Sequence, residues 1–73
     1  METRYLNTLI AAVETGTFSK AAESLHITQS AVSQRIKFLE EHFAQQLLDR
    51  SGQRLALTAA GQLVFNKVKD ILH

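Results

Sequence analysis

Gln29, Ser30, Ser33, Gln34 and Lys37 carry the groups in this chain best suited to reading base edges or gripping phosphates. A glutamine amide bonds adenine bidentately through N6 and N7. A serine hydroxyl donates or accepts at several base edges, and a lysine ammonium seeks phosphate or guanine. At 100° per residue these side chains fall within roughly 140° of one helix surface. Val32, Ile36, Leu39 and Phe43 fall within roughly 60° on the other side. A helix divided in this way buries an apolar stripe and presents hydrogen-bonding groups along a polar arc.

The spacing predicts this helix from Thr28, as N-cap, to about Phe43. Base contacts concentrate in the first turn of a recognition helix, where Gln29, Ser30 and Ser33 stand, with Gln34 beside them. Thr28 and the open N–H groups of that turn suit a phosphate. Lys37, a turn beyond Ser33, suits the backbone while the earlier residues read sequence. Arg35 falls at the shoulder of the polar arc and is left out of the base-contacting set.

The elements that position this helix are legible on both sides. Leu6, Leu9, Ile10 and Val13 follow the spacing of an amphipathic first helix, and Gly16 is placed to end it in the left-handed conformation. A second helix is expected from Ser19 as N-cap, with Ala21, Ala22 and Leu25 inward. The break at Leu25-His26-Ile27 then makes residues 17–40 a helix-turn-helix, in which one helix braces and the next enters the DNA major groove. Beyond it, Leu47-Leu48-Asp49-Arg50 and Arg54-Leu55-Ala56-Leu57 flank Ser51-Gly52-Gln53. That pattern predicts a hairpin with a three-residue loop, the wing of a winged helix. Arg50 and Arg54 would reach phosphates or a narrow minor groove. Thr58 is expected to cap a last helix with Val64, Val68, Ile71 and Leu72 near one face, and with Leu63 and Phe65 beside it. Gly61, early in that helix, would permit a close helix contact.

The expected fold is mainly α: a winged helix-turn-helix of three helices and a two-stranded wing over residues 1–57, then a dimerising linker helix over residues 58–73. Seventy-three residues form one small core, which usually needs a disulfide, a metal or a partner chain. The sequence has no cysteine, which removes disulfides and thiolate metal sites. His26, His42 and His73 lie in separate segments without ligand spacing, so no metal and no cofactor is expected. A homodimer through the C-terminal helix is the remaining remedy. No run approaches the ~18 apolar residues of a membrane span, and the N-terminus lacks the features of a secretory signal; the cytoplasm is the expected compartment. The formal net charge is only +1, so its distribution has to carry any case for nucleic acid.

Other function classes fit less well. A winged-helix module for protein interaction or dimerisation, without sequence-specific DNA binding, is the leading alternative, and the wing arginines argue against it. A-form RNA has a deep, narrow major groove that side chains cannot read. An enzyme would need a nucleophile, a base and an orienting group, and no such set is spaced here.

The order AAESLHITQSAVSQRIKFLE, then LLDRSGQRLALTAAG, resembles the N-terminal domain of LysR-type transcriptional regulators. That family's F-S-x-A-A-x-x-L is matched by Phe18 to Leu25, its Q-[PS]-A-V-S by Gln29 to Ser33, and its I-x-x-L-E by Ile36 to Glu40. The L-T-x-A-G pattern falls on Leu57 to Gly61. The resemblance covers essentially the whole chain. It implies double-stranded DNA with an inverted-repeat operator as partner, Gln29, Ser30, Ser33 and Gln34 facing bases, and Arg50 and Arg54 serving the wing. Glu40 belongs to the signature as a structural residue, since a carboxylate near phosphates is unfavourable. The string ITQSAVSQRIK further resembles the branch that controls arginine export in response to basic amino acids. Departures from the pattern are the order Gln34-Arg35, reversed from many members, and Leu48 in place of the usual wing phenylalanine. The family's effector-binding domain has no counterpart in these residues, so no small-molecule effector is expected to bind here.

Overall fold

The structure is a computed structural model that describes residues 3–72, with the backbone alone for residues 68, 71 and 72. Its elements run α1 (Thr3–Thr15), α2 (Phe18–Leu25), α3 (Gln29–Phe43), β1 (Leu48–Asp49), β2 (Ala56–Leu57) and α4 (Ala59–Leu72). α1 packs on α2 and α3, α2 packs on α3, and α4 returns to lean on α1 and β2. This is the expected winged helix-turn-helix followed by a further helix.

Leu9, Ala12, Ala21, Val32, Ile36, Leu39, Leu47 and Leu48 are fully buried at the meeting of these elements. Each large aliphatic among them gains about 1.5–3 kcal/mol from leaving water. The inner face of α1 is turned from its expected position. It buries Thr8, Leu9, Ala11 and Ala12, while Leu6, Ile10 and Val13 are half-buried at its flank. Small residues win because they let α2 and α3 approach closely. The buried Thr8 hydroxyl is satisfied by donating to the Arg4 carbonyl at 2.7 Å.

Thr17, rather than Ser19, caps α2, and its hydroxyl accepts from the Lys20 N–H at 3.0 Å. Both residues are cap types, and Ala21 and Ala22 face the core as expected. Thr28 caps α3 as expected, accepting from the Ala31 N–H at 3.0 Å. Phe43 departs from the apolar stripe: it stands 37% exposed, because the last turn of α3 runs past the helices that cover Val32, Ile36 and Leu39. α3 ends at Ala44, whose φ of 53° is left-handed.

The hairpin pairs Leu48 with Leu57 and Asp49 with Ala56, so its loop spans residues 50–55, longer than the expected three residues. Asp49 Oδ1 starts the turn by accepting from the Ser51 N–H at 2.9 Å and the Ser51 hydroxyl at 2.6 Å. Leu55 leaves the ladder because its N–H goes instead to the Gly16 carbonyl at 2.8 Å. Gly16 has φ 87°, and a Cβ there would crowd the Arg54 guanidinium.

Thr58 caps α4 through the Gly61 N–H at 3.0 Å. The close approach at Gly61 is to the Leu47 carbonyl, not to another helix. A Cβ at Gly61 would overlap that oxygen and meet Leu57 Cδ2 at 3.1 Å. Of the expected pairing face of α4, Val64 is half-buried against the core; the side chains of Val68, Ile71 and Leu72 lie outside the described residues.

Candidate nucleic-acid interface

The turn between α2 and α3 fixes everything that follows it. His26 takes a left-handed φ of 57°. Its N–H reaches the Glu23 carbonyl at 3.3 Å and the Ile27 N–H reaches the Ala22 carbonyl at 3.1 Å. These bonds close the end of α2 and aim α3 across it. The buried stripe Val32, Ile36 and Leu39 then sets the rotation of α3.

That rotation leaves Thr28, Gln29, Ser30, Gln34 and Lys37 exposed, with Ser33 half-buried among them. The polar arc read from the sequence is therefore a surface of the fold. Among the described residues, the Gln29 and Ser30 N–H groups that begin α3 find no protein acceptor, since Thr28 caps only Ala31. Two open donors at a positive helix end, ringed by hydroxyls and amides, suit an anionic polymer with readable edges.

Arg35 is not on that arc. It turns to α1, where Nη1 donates to the Thr8 hydroxyl at 3.3 Å and the guanidinium lies 5.8 Å from the Tyr5 ring centre. The reversed order Gln34-Arg35 thus gives the amide to the outer face and the guanidinium to the scaffold.

Both wing arginines are exposed, yet each touches the body of the domain. Arg54 Nη2 donates to the Glu14 carbonyl at 3.4 Å. The Arg50 guanidinium lies 4.8 Å from the Phe18 ring centre, with Nη2 at 3.9 Å from Glu40 Oε1. Sequence reasoning missed these tethers because their partners lie on other elements and carry no mutual signal in the pattern. Glu40 has the structural role expected of it. Its Oε2 accepts from the Leu47 N–H at 2.8 Å and the Leu48 N–H at 3.3 Å, anchoring the root of the wing. Leu48, in the usual phenylalanine position, is fully buried there.

Phe43, Gln45, Leu47, Ala59, Ala60, Leu63 and Val64 line an open hollow of about 370 Å³ between the end of α3 and the start of α4. No cluster of His, Cys, Asp or Glu able to hold a metal occurs among the described residues. None of their helices is long and apolar enough to cross a membrane.

A braced helix with a polar outer face, followed by a two-stranded wing, defines a winged helix-turn-helix DNA-binding domain. The sequence pattern of the bacterial regulatory helix-turn-helix proteins of the lysR family matches residues 3–62, and the chain belongs to that family as its DNA-binding domain. Its relatives are transcriptional regulators, not enzymes. One is an uncharacterized HTH-type transcriptional regulator from the ibpB-leuC intergenic region of Azotobacter vinelandii. It is 46% identical over 72 residues, covering 99% of this chain and 50% of that protein. Another is the HTH-type transcriptional regulator MetR of Haemophilus influenzae, 39% identical over 72 residues, covering 99% of this chain and 23% of that protein. The chain thus spans half or less of these relatives' length. Among solved structures, the BenM DBD/catB site 1 DNA complex superposes with a TM-score of 0.92 at 36% identity, covering 99% of this chain and 80% of that one. These comparisons do not single out the arginine-export branch.

Proposed function

We propose that the chain reads double-stranded DNA as a homodimer, with α3 of each subunit in a major groove. Gln29, Ser30, Ser33 and Gln34 face bases, while Thr28, Lys37, Arg50 and Arg54 meet backbone or minor groove. Residues 1–57 form the reading unit. The helix over residues 58–73 pairs with its counterpart, through Val64, Val68, Ile71 and Leu72, and holds two reading units about one helical turn apart. The operator is then an inverted repeat. As a bacterial regulator, the whole protein acts in the cytoplasm, where the DNA lies. The ITQSAVSQRIK likeness points to control of arginine export as its task.

The observation that carries this reading is the exposed polar arc of α3, which no core residue interrupts and which begins with two open N–H donors. The BenM relative bound to DNA supports the same pose. Selection of sites from a random duplex library, at a stated salt concentration, tests it. Enrichment of an inverted repeat with half-sites one turn apart is the expected result. A single enriched half-site would overturn the pairing. No enrichment from a folded sample would overturn sequence reading and favour a protein-interaction module.

A further inference from the structure

Glu40 stands on the DNA-facing arc itself. It lies within roughly 20° of Ser33 around the helix and about two turns further along it. A carboxylate there is unfavourable for a phosphate-binding surface, so its role as an anchor for β1 leaves something to explain. Neutral acceptors would also hold the Leu47 and Leu48 N–H groups.

The second oxygen supplies the explanation. Oε1 faces Arg50 Nη2 at 3.9 Å, and the side chains are 20% and 48% exposed respectively. The two ends of this pair are held unequally. The carboxylate is fixed by two backbone donors. The guanidinium sits at the outer limit of ion pairing, half in water, resting on the Phe18 ring. It keeps N–H groups available, and a phosphate can engage a guanidinium through two parallel bonds. When the pair separates, the arginine is the partner that moves.

We propose that Glu40 competes with DNA phosphates for Arg50, so that this arginine meets the backbone only where a phosphate is well placed. This rests on the reading of Arg50 as a backbone or minor-groove contact. Phosphate contacts supply nearly all non-specific affinity, so a restraint on one of them weakens binding at every sequence and removes that contact where no phosphate is well placed. At a cognate site the base contacts fix the register and bring a phosphate within reach, and Arg50 is released to it. At other sequences the carboxylate retains the arginine. Glu40 is thus a positioning residue that acts through Arg50.

The test compares the wild type, Glu40→Gln, Arg50→Ala and the double variant, on the selected site and on a non-specific duplex, across a salt series. Glutamine keeps a carbonyl oxygen for the Leu47 N–H while removing the charge. Glu40→Gln should tighten non-specific binding several-fold and steepen its salt slope by about one per subunit. Cognate affinity should rise at least as much, since the release of Arg50 no longer costs the ion pair, while the cognate salt slope stays unchanged. In the Arg50→Ala background the Glu40 effect should vanish.

An unchanged non-specific salt slope in folded Glu40→Gln would overturn the inference alone, provided Arg50→Ala lowers the slope on the selected site. An effect that persists without Arg50 would also overturn it. If Arg50→Ala leaves the slope on the selected site unchanged, the wing contact fails and the inference with it. The wild-type protein gives a second measurement that needs no variant to fold. Its Arg50 Nε–H resonance should move on cognate duplex and stay near its free position on non-specific duplex, and equal shifts on both would refute the competition.

Discussion

Replacing Gly61 by alanine sets two known effects against each other. Within a helix, alanine is favoured over glycine by about 1 kcal/mol, so the change would stabilise an unobstructed α4. Here the new methyl overlaps the Leu47 carbonyl oxygen, with the carbonyl carbon at 3.0 Å and Leu57 Cδ2 at 3.1 Å. The leucine methyl can rotate away, but the carbonyl is backbone and cannot. It also accepts the Thr58 N–H at 3.0 Å, so moving it strains the connection that launches α4. Overpacking of this kind costs about 1–3 kcal/mol, and weakening that hydrogen bond costs about 1 kcal/mol more. After the helix gain is subtracted, the net loss is about 1–3 kcal/mol. For a domain of this size each kcal/mol lowers Tm by about 4–8 °C, which centres the expected fall near roughly 12 °C. Thermal melting followed by circular dichroism at the helix band measures it directly. A Tm equal to or above that of the parent chain would show that α4 stands off from Leu47, and the packing argument would be wrong.

Leu39→Ala empties a fully buried position on α3 and should cost about 2–5 kcal/mol; a denaturant midpoint close to the parent's would refute its burial. Gln29→Ala should cost roughly 1–3 kcal/mol at one position of each half-site and relax base preference there, whereas equal weakening on all sequences would argue against direct readout. Lys37→Ala should lower affinity across sequences and reduce the salt slope by about one per subunit, and an unaltered slope would exclude a phosphate contact. The Ser51 hydroxyl, and then its backbone N–H, hold the Asp49 carboxyl below its ordinary value of 3.8. A depressed folded value means the stabilisation of the wing turn is present above pH 3.8 and fades as pH falls through the lower folded value. Ser51→Ala should therefore raise the Asp49 titration midpoint, read from its carboxyl carbon resonance, and an unmoved midpoint would show that the hydroxyl is not its main partner.

What could be read from the sequence depended on how local the determinants were. The bounds of α3 were legible because Thr28 marks its start and the Val32, Ile36, Leu39 stripe fixes its face. The polar arc followed from the same periodicity. The start of α2 is ambiguous in the sequence because Thr17 and Ser19 are both cap types two residues apart. The left-handed turn at Ala44 carries no glycine or asparagine to announce it. The inner face of α1 was obscured because Thr8 and two alanines outweigh larger neighbours once close packing is possible. The pattern assigns Arg50 and Arg54 to DNA and Arg35 to the shoulder of the polar arc, while their tethers to α1, α2 and Glu40 depend on tertiary contacts between separate elements.

The bond from the Leu55 N–H to the Gly16 carbonyl joins the wing to the turn between α1 and α2. It lies outside both the helices and the short ladder, so lifting the wing breaks it while the three-helix body stays intact. Hydrogen exchange at this single amide therefore reports the opening of the wing, separately from the core amides of α3, which exchange only when the domain unfolds as a whole. Slowed exchange at Leu55 on adding duplex would register the wing closing on DNA, and the size of that slowing would give the free energy by which DNA holds it shut.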